Sequence, residues 1–506
     1  MTSPDSRAGT WRARGAVLRS RFRALWLVPV LAMVALTCWA FASPIGASPD
    51  DDFHLTSIWC ANPARTDLCQ ATGKPEERIV PVGVAYATCY AAQPEKSADC
   101  QERFFEEGSD PQITTIRGAF SNEYPPVFYG VMNLFAGPDL QVSALLMRVF
   151  TALLFVAITA ALYLLLPVAR RPVLFGMWLL TSVPLGIFLL ASNNPSSWAL
   201  IGVGSAWLAA LGFLETTGRR RIGLGVLAAL TAVMASGARG DAAIYTALGM
   251  GLALALAFRR SRSFSISAIL PVALALVGVF FFLTSQQSAV VSTGLSGGAV
   301  VGVDIDVIPL TMINLVSVPF LWTGIFGTWG LGWLDTSMPA VVWVATLGTF
   351  MAVIFATLRR IPRLIAVLMI GVGVILWVLP TFILVRGNNI VGENVQPRYL
   401  LPLIVLFAGL ALLPWRRLPV QLSRGQAILV AMSLIGAHSL ALHVNLRRYV
   451  TGTDVNSPNL DAGAEWWWPG LPIGPVWVWL IGSLAFAAVA VILVREMKRI
   501  PDVVVS

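Results

Sequence analysis

The chain has 506 residues, of which 57% are hydrophobic and only 12% charged, with a formal net charge of +9 at pH 7. Its mean hydropathy of +0.74 and its long apolar runs are typical of a protein in a lipid bilayer rather than in water. The sequence contains no G-x-x-x-x-G-K-[ST] motif, so an ATP-driven pump with its motor in this chain is excluded.

The apolar runs predict an all-α polytopic membrane protein with about 12 transmembrane helices, in a range of roughly 10–13, because each crossing needs about 20 mostly apolar residues. The fifth, sixth and tenth runs are short for a membrane crossing, and for this reason the number of helices is given as a range. The predicted spans are about 24–42, 142–166, 172–191, 196–214, 222–238, 242–258, 266–284, 338–358, 364–385, 399–414, 426–445 and 473–494.

Lys and Arg residues gather at both termini and at every second loop, for example at Arg219–Arg221 and Arg259–Arg262. Cytoplasmic loops of membrane proteins carry an excess of these residues. We therefore predict a multi-pass protein of the cell membrane with both termini in the cytoplasm. The basic charge then follows from orientation in the bilayer, and no nucleic-acid partner is implied.

This topology divides the chain into alternating cytoplasmic, membrane and extracytoplasmic parts. A second outer loop is rich in aromatic residues, which suits an interfacial helix. The predicted parts are a basic cytoplasmic tail at 1–23, the first transmembrane helix at 24–42, a large extracytoplasmic loop at 43–141, transmembrane helices 2–7 at 142–284, an extracytoplasmic loop with the interfacial helix at 285–337, transmembrane helices 8–12 at 338–494 and a cytoplasmic tail at 495–506.

The amino end has a second interpretation. A basic stretch, an apolar core and the small residues Ala40 and Ala42 are also typical of a cleaved signal peptide. The apolar core exceeds the usual length of about 7–15 residues and contains Trp26 and Trp39, which favours an uncleaved span.

Four of the five cysteines lie in the first outer loop, where disulfides persist. Four cysteines allow three connectivities. Because local pairings close short loops, we favour Cys60–Cys69 and Cys89–Cys100 over the alternatives.

Three consecutive acids, Asp50–Asp52, directly follow the first span. Ser48 and Pro49 before them are typical of a helix start, with Ser48 as the N-cap and Pro49 in the first turn. The acids could simply complement the helix dipole. Ionisable groups at a membrane are costly and usually functional, however, so we predict a role for at least one of them.

A helix that begins here would place Asp51, His54 and Ile58 on one face. Asp51 is then the first candidate for a catalytic base, with Asp50 and Asp52 as competitors. No cofactor is certain, although carboxylate and imidazole groups could together bind a divalent cation.

Aromatic and acidic residues precede the second span. Glu123, Tyr124 and Tyr129 are candidates for substrate binding, and the aromatic rings could equally be interfacial anchors. Asn194, in the turn between the third and fourth predicted spans, is a further candidate that could instead cap a helix.

Two arginines are candidate phosphate ligands because a guanidinium group binds two oxygens at once. Arg398 lies at the outer end of the tenth span, where it could alternatively be a snorkelling interfacial residue. Arg239 lies in a very short turn with Asp241, and the two could instead pair with each other.

Several stretches together resemble a domain-of-unknown-function family (number 2142) of multipass bacterial membrane proteins. That family is similar to GT-C glycosyltransferases, which use lipid-linked sugars and carry an acidic residue in the first outer loop. The matching stretches are Pro49-Asp50-Asp51 with His54, Tyr124-Pro-Pro-Val-Phe-Tyr129, Asn194-Pro195-Ser196, Phe326-Gly-Thr-Trp-Gly-Leu-Gly-Trp-Leu-Asp-Thr336 with Pro339, and Gln396-Pro-Arg-Tyr-Leu-Leu-Pro402.

The chain departs from the family pattern at two places. The pattern has Pro-Asp-Glu-Pro before the histidine, whereas here Asp51 stands at the glutamate and Asp52 at the second proline. It also more often has Gln-Gly-Arg where this chain has Gln396-Pro397-Arg398. The first departure leaves open which carboxylate is catalytic.

The resemblance implies a GT-C-like membrane glycosyltransferase that transfers a sugar from a polyprenyl-phosphate donor to an envelope glycan or glycolipid acceptor at the extracytoplasmic face. An Asp general base, Asp51 first, would act by inverting displacement, with Arg398 and Arg239 at the donor phosphate. Trp333 and Asp335 would help to bind substrate. The alternatives are a transporter or flippase of lipid-linked sugars and a non-catalytic scaffold in an envelope-synthesis complex.

Overall fold

The computed structural model describes residues 24–106, 111–295, 306–358, 361–413, 422–468 and 471–499. Long helices make up most of these residues, as expected for an all-α polytopic membrane protein, and this predicted class is confirmed. A small antiparallel sheet lies between the first two long helices, with β1 (Gln70–Ala71) and β3 (Gln112–Thr115) on either side of β2 (Arg78–Pro81).

The helices are numbered in chain order, apart from short 3-10 turns. They are α1 (Ala24–Phe41), α2 (Asp51–Trp59), α3 (Val82–Tyr86), α4 (Glu102–Glu106), α5 (Val127–Met132), α6 (Leu140–Leu165), α7 (Arg171–Thr181), α8 (Leu185–Leu190), α9 (Ser196–Glu215), α10 (Gly218–Ser236), α11 (Gly240–Ala257), α12 (Arg262–Thr284), α13 (Val290–Thr293), α14 (Val307–Ser317), α15 (Pro319–Thr323), α16 (Ala340–Leu358), α17 (Arg363–Arg386), α18 (Pro397–Leu412), α19 (Arg424–Val450) and α20 (Pro475–Arg499).

Within the described ranges, 10 helical segments are long and apolar enough to cross a membrane. All but one coincide with predicted spans, and the number lies inside the predicted range.

Three predicted spans take other forms. The span at 172–191 is divided into α7 and α8 around Pro184, which has no backbone N–H to continue a helix. The span at 222–238 lies in α10, which begins with three arginines, and the span at 399–414 is the shorter α18.

The tenth segment, Val307–Thr328, falls in the loop for which the sequence predicts an interfacial helix. It consists of α14, α15 and a π-helical turn at Gly324–Thr328. Only Val318 separates α14 from α15, so the apolar stretch is continuous and as long as a membrane-spanning helix. Sequence reasoning weighed its aromatic residues and missed this length.

Helix α9 lies at the centre of the bundle and packs against α10, α11 and α18, and 89% of its most apolar 18-residue stretch is buried. Small residues allow this close packing. A Cβ atom on Gly202 would lie 2.6 Å from the Ala235 side chain, and one on Gly204 would lie 2.6 Å from the Trp178 ring. The turns that precede α9, α11 and α18 meet at one end of the bundle, which we call the loop face, because Asn194 and Arg398 bind the same carbonyl oxygen of Pro49 and Arg239 lies 4.6 Å from the Tyr399 ring centre.

The chain that leaves α1 is fixed to the bundle by a buried arginine. Arg148 of α6 is 1% exposed and donates hydrogen bonds to the carbonyl oxygens of Ala40 (2.9 Å), Ser43 (2.5 Å) and Pro44 (2.6 Å). Asn445 of α19 donates a further bond to the Ala42 carbonyl oxygen (2.9 Å). These contacts hold the segment 42–50 on the loop face and thus position the acidic triplet.

Two disulfides lie in the segment between α1 and α6. They join Cys60 to Cys69 and Cys89 to Cys100, the two local pairings that the spacing favours. The second one closes a loop whose backbone is bound by buried Arg448, which donates to the carbonyl oxygens of Tyr90 (3.0 Å) and Lys96 (2.6 Å). The segment is thereby tied to α19.

Replacement of Arg148 by methionine should destabilise the fold strongly. Three buried carbonyl groups would lose a charged donor, and each unsatisfied group costs about 1–3 kcal/mol. We expect the free energy of unfolding of Arg148→Met to fall by at least about 3 kcal/mol, as measured by denaturant unfolding in detergent. The control is Arg220→Met at an exposed position. Equal stability of the two variants would contradict this role of Arg148.

Candidate functional site

Helix α2 begins within the acidic triplet, two residues later than the sequence suggests. The helix starts at Asp51, and Ser48 does not cap it with its side chain. Instead the Ser48 amide donates to Oδ2 of Asp51 (3.2 Å), and the Asp50 carbonyl oxygen accepts from the amides of Phe53 (3.0 Å) and His54 (2.9 Å). Asp50 has a φ of 60°, the left-handed conformation that Asp tolerates better than most residues. The predicted cap is therefore wrong by two residues.

The left-handed turn at Asp50 sends the three carboxylates to different surroundings. Asp51 is fully buried, and its Oδ1 has no hydrogen-bond partner among the described residues. Burial raises the pKa of Asp51 to about 7, against the opposing charge of Arg148. Asp52 instead forms a two-pronged ion pair with half-exposed Arg117, with both N–O distances 2.9 Å.

Asp50 is the most accessible member of the triplet. Its side chain is 40% exposed, and its carboxylate contacts the Nη2 atom of Arg398 at 2.5 Å and that of Arg117 at 3.8 Å. Burial acts to raise the pKa of Asp50, but the charge and hydrogen bond of Arg398, together with His54 and Arg117, outweigh it, and the pKa lies below its usual value. Asp50 is therefore an ionised carboxylate that solvent can reach.

Arg398 anchors this carboxylate from the first turn of α18. Its buried guanidinium donates through Nη1 to the Pro49 carbonyl oxygen (3.0 Å) and through Nη2 to Asp50 and to the Tyr399 hydroxyl oxygen (3.2 Å). The Pro49 carbonyl oxygen also accepts from Nδ2 of Asn194 (2.8 Å). Two residues predicted from separate motifs thus hold the same backbone group next to Asp50.

The second arginine also lies close to Tyr399. Arg239 forms a two-pronged ion pair with Asp241, with both distances 2.9 Å, which is one of the two interpretations left open by the sequence. Its guanidinium carbon lies 4.6 Å from the Tyr399 ring centre and 5.9 Å from that of Tyr124. Arg398 lies 5.1 Å from the same Tyr399 ring. We call Asp50, Arg398, Tyr399, Arg239, Asp241 and Tyr124 the Asp50 cluster.

A histidine packs against one side of this cluster. His54 is fully buried, its Nδ1 forms a hydrogen bond with the Tyr129 hydroxyl (2.9 Å), and its ring lies edge-on to Tyr124. Burial lowers the pKa of His54 well below its usual value, so the imidazole is neutral. No group of three or more His, Cys, Asp or Glu side chains that could hold a metal ion occurs among the residues described.

Three further predicted residues have partners of their own. Glu123 accepts a hydrogen bond from the Ser121 amide (2.7 Å) in a local turn. Trp333 donates to the Gly46 carbonyl oxygen (2.9 Å), and Asp335 forms a buried ion pair with Arg448 at 2.7 Å. These contacts brace the loop face around the cluster, and none of them joins the residue to Asp50 or Arg398.

Sequence reasoning missed Tyr399, which belongs to the cluster, and Arg117, which contacts it. Tyr399 directly follows Arg398 in the motif 396–402, so its position beside Arg398 could have been suspected. Arg117 is an isolated basic residue in a long loop, 65 positions from its partner Asp52. Only the folded chain brings it there.

The sequence that carries these residues matches a known protein family. A family described as a predicted membrane protein family, DUF2142, matches this chain over residues 33–407. The chain belongs to this family. The match covers the second half of α1, the acidic triplet, Asn194, both arginines and the segment 324–336, so the cluster lies within the part shared with the family. No curated protein matches the chain.

The titration of Asp51 should be visible in the stability of the fold. Its pKa is raised from 3.8 to about 7, so the protonated carboxyl is favoured in the folded chain. This stabilisation is complete below pH 3.8 and is lost as the pH rises to about 7. Relative to Asp51→Asn, the unfolding free energy of the wild type should fall across that window in chemical denaturation.

The matched control is Asp67→Asn, since the Asp67 side chain is 66% exposed. A pH dependence of the same size in this variant would show that the effect does not come from the burial of Asp51. A constant difference between the wild type and Asp51→Asn over the same window would show that Asp51 does not titrate as its burial demands.

Proposed function

We propose that this chain is a membrane glycosyltransferase that transfers a sugar from a polyprenyl-phosphate donor to an envelope glycan or glycolipid at the extracytoplasmic face. The observation that carries the proposal is the Asp50–Arg398 contact, in which an exposed carboxylate meets a buried guanidinium beside a second one. The resemblance of the family to GT-C glycosyltransferases supports the same reaction class. A resemblance in fold is not sufficient by itself, because one fold can carry many functions, and the proposal therefore depends on the residues of the site.

Asp50, rather than Asp51, is the better candidate for the base. A general base must reach the proton that it removes, and it must be ionised at the working pH. Asp50 meets both conditions, because its side chain is 40% exposed and Arg398, with His54 and Arg117, keeps its pKa below the usual value. Asp51 is buried beneath it, next to Arg148, and serves the local structure.

The proposed reaction is a single displacement. Asp50 removes the proton of an acceptor hydroxyl, and the hydroxyl oxygen forms a bond to the anomeric carbon of the sugar. The bond between that carbon and the phosphate oxygen breaks, and polyprenyl phosphate leaves with the electron pair. Attack opposite the leaving group inverts the configuration, and the proton passes from Asp50 to solvent.

The two arginines would stabilise the charge that develops on the departing phosphate. Arg398 and Arg239 are both buried, where a positive charge acts more strongly than in water. Asp50 and Asp241 balance the two guanidinium charges before the donor binds. A donor held in the bilayer fits a site on the loop face, next to membrane-spanning helices.

Replacement of Asp50 by asparagine tests the base directly. We expect Asp50→Asn to lower sugar transfer by roughly 10²–10⁴-fold, because the amide cannot accept the hydroxyl proton. The measurement is radiolabelled sugar transfer from polyprenyl phosphate in membranes that contain the chain. Asp51→Asn should keep its turnover per folded molecule, as should the exposed control Asp67→Asn.

Undiminished transfer by Asp50→Asn would remove Asp50 as the base. The alternative functions give other outcomes in the same membranes. A flippase would move the lipid-linked sugar across the bilayer without breaking its phosphate bond. A scaffold would support envelope synthesis with both Asp50 and Arg398 neutralised.

A further inference from the structure

A pocket with a volume of about 370 Å³ opens in the segment between α1 and α6, and it shares no lining residue with the Asp50 cluster. This volume lies at the lower end of the range of small-molecule binding sites. Nothing in the reaction described above uses the pocket. It is lined by Tyr86, Thr88, Cys89, Lys96, Arg103 and Phe104.

The pocket lining carries positive charge that no carboxylate in the lining offsets. Lys96 and Arg103 each contribute one cation, and no described Asp or Glu side chain lines the pocket. Both cations are exposed to solvent, so a ligand can reach them from outside. Ammonium and guanidinium groups only donate hydrogen bonds, and the matching ligand is therefore an anion with oxygen acceptors.

Neighbouring groups hold both cations in place. Nζ of Lys96 donates to the Cys89 carbonyl oxygen (3.1 Å), and the disulfide between Cys89 and Cys100 closes the loop that contains Lys96. The guanidinium carbon of Arg103 lies 4.6 Å from the ring centre of Phe104. Because these side chains are already ordered, they lose little conformational freedom when a ligand binds.

The pocket also offers an aromatic surface. Tyr86 is 50% exposed, which is unusual for so large a side chain, and half-buried Phe104 lies in the same lining. The Thr88 hydroxyl adds a group that can both donate and accept a hydrogen bond. A sugar ring has an apolar C–H face that packs on an aromatic ring, and hydroxyl groups at its edge. An anion built of sugar rings therefore matches this lining better than a small inorganic anion.

The wall of the pocket packs against the segment that carries Asp50. A Cβ atom on Gly46 would lie 2.7 Å from Cγ2 of Thr88, so only glycine permits this contact. Nε2 of Gln101 donates to the Ile45 carbonyl oxygen (2.6 Å) in the same segment. Helix α3, which precedes the pocket loop, packs against α2. The pocket therefore lies next to the part of the chain that positions the candidate base.

We propose that this pocket binds an acidic glycan, with Lys96 and Arg103 binding its carboxylate groups and Tyr86 stacking on a sugar ring, and that this glycan is the acceptor. The acceptor role rests on the proposed function, whereas the binding does not. The proposal narrows the acceptor from any envelope glycan or glycolipid to one that contains acidic sugars.

The test is the binding of tetragalacturonate, a short chain of uronic acids, to the full chain in detergent by isothermal titration calorimetry. Arg103→Gln removes one cation and keeps a polar side chain, so its Kd should rise about tenfold. Lys74→Gln is the matched control, because Lys74 is an exposed cation of the same segment that pairs with Glu77 and does not line the pocket. Its Kd should equal that of the wild type.

Two further ligands separate the charge from the sugar rings. Fully methyl-esterified tetragalacturonate keeps the rings and has no charge, and tetraglutamate keeps the charges and has no rings. Both should bind far more weakly than tetragalacturonate. Equal affinity for the ester would overturn the role of the cations, and equal affinity for tetraglutamate would make this a site for acidic peptides and overturn the glycan.

The aromatic contact has its own variant. Tyr86→Ala should raise the Kd of tetragalacturonate about tenfold and leave that of tetraglutamate unchanged, because only the sugar stacks on the ring. A photoreactive tetragalacturonate provides a measurement on the wild type alone, since it should crosslink within 86–104. An unchanged Kd in Arg103→Gln, or crosslinks confined to other segments, would overturn the site.

The acceptor role is tested separately. Tetragalacturonate should inhibit sugar transfer by the wild type, and about ten times more of it should be needed for Arg103→Gln. Binding in the pocket without inhibition would overturn the acceptor assignment. Because the calorimetry contains no sugar donor, intact binding in a chain that transfers no sugar would overturn the proposed function and leave the glycan site standing.

Discussion

The carbonyl group of Pro49 is the point on which the loop face depends. It lies in the segment between α1 and α2, and it accepts hydrogen bonds from Arg398 of α18 and from Asn194 in the turn before α9. Three parts of the chain that are far apart in sequence thus meet at one buried oxygen. The left-handed Asp50 follows directly, so its carboxylate is held within reach of the same guanidinium.

The other buried arginines on the loop face also have partners that offset their charge. Each buried guanidinium there is bound to a carboxylate or to several carbonyl groups, because an uncompensated charge in a low-dielectric interior is costly. Arg239 pairs with Asp241, Arg448 with Asp335, and Arg148 binds three carbonyl groups. The Nε atoms of Arg148, Arg398 and Arg448 have no acceptor among the described residues, whereas Nε of Arg239 donates to Asp241 (2.9 Å).

Much of the architecture could be predicted because hydrophobic length and basic loops carry strong local signals. The membrane class, most of the long helices and the local disulfides belong to this part. The form of α7 and α8 and the length of the stretch at 307–328 required knowledge of how individual prolines and aromatic residues pack. These features depend on tertiary contacts, which a single sequence does not display.

The sequence predicted which residues form the site better than it predicted the role of each one. Asp50, Arg398, Asn194 and Arg239 were all singled out by residue type and position, and they do meet around Tyr399 and Pro49. The preference for Asp51 rested on helical spacing, and the turn at Asp50 reversed it by burying one carboxylate and exposing the other. Backbone conformation at one residue therefore decided which acid is accessible.

The distance in sequence between the partners of the Pro49 carbonyl has a consequence for biosynthesis. Arg398 is 349 residues beyond Pro49, so at ordinary rates of translation it is made on the order of 20–70 seconds later. The disulfides at Cys60–Cys69 and Cys89–Cys100 join residues only 9 and 11 positions apart and need no such delay. For most of synthesis the turn at Asp50 therefore exists without Arg398. The Asp50–Arg398 ion pair forms only after α18 has been made and inserted.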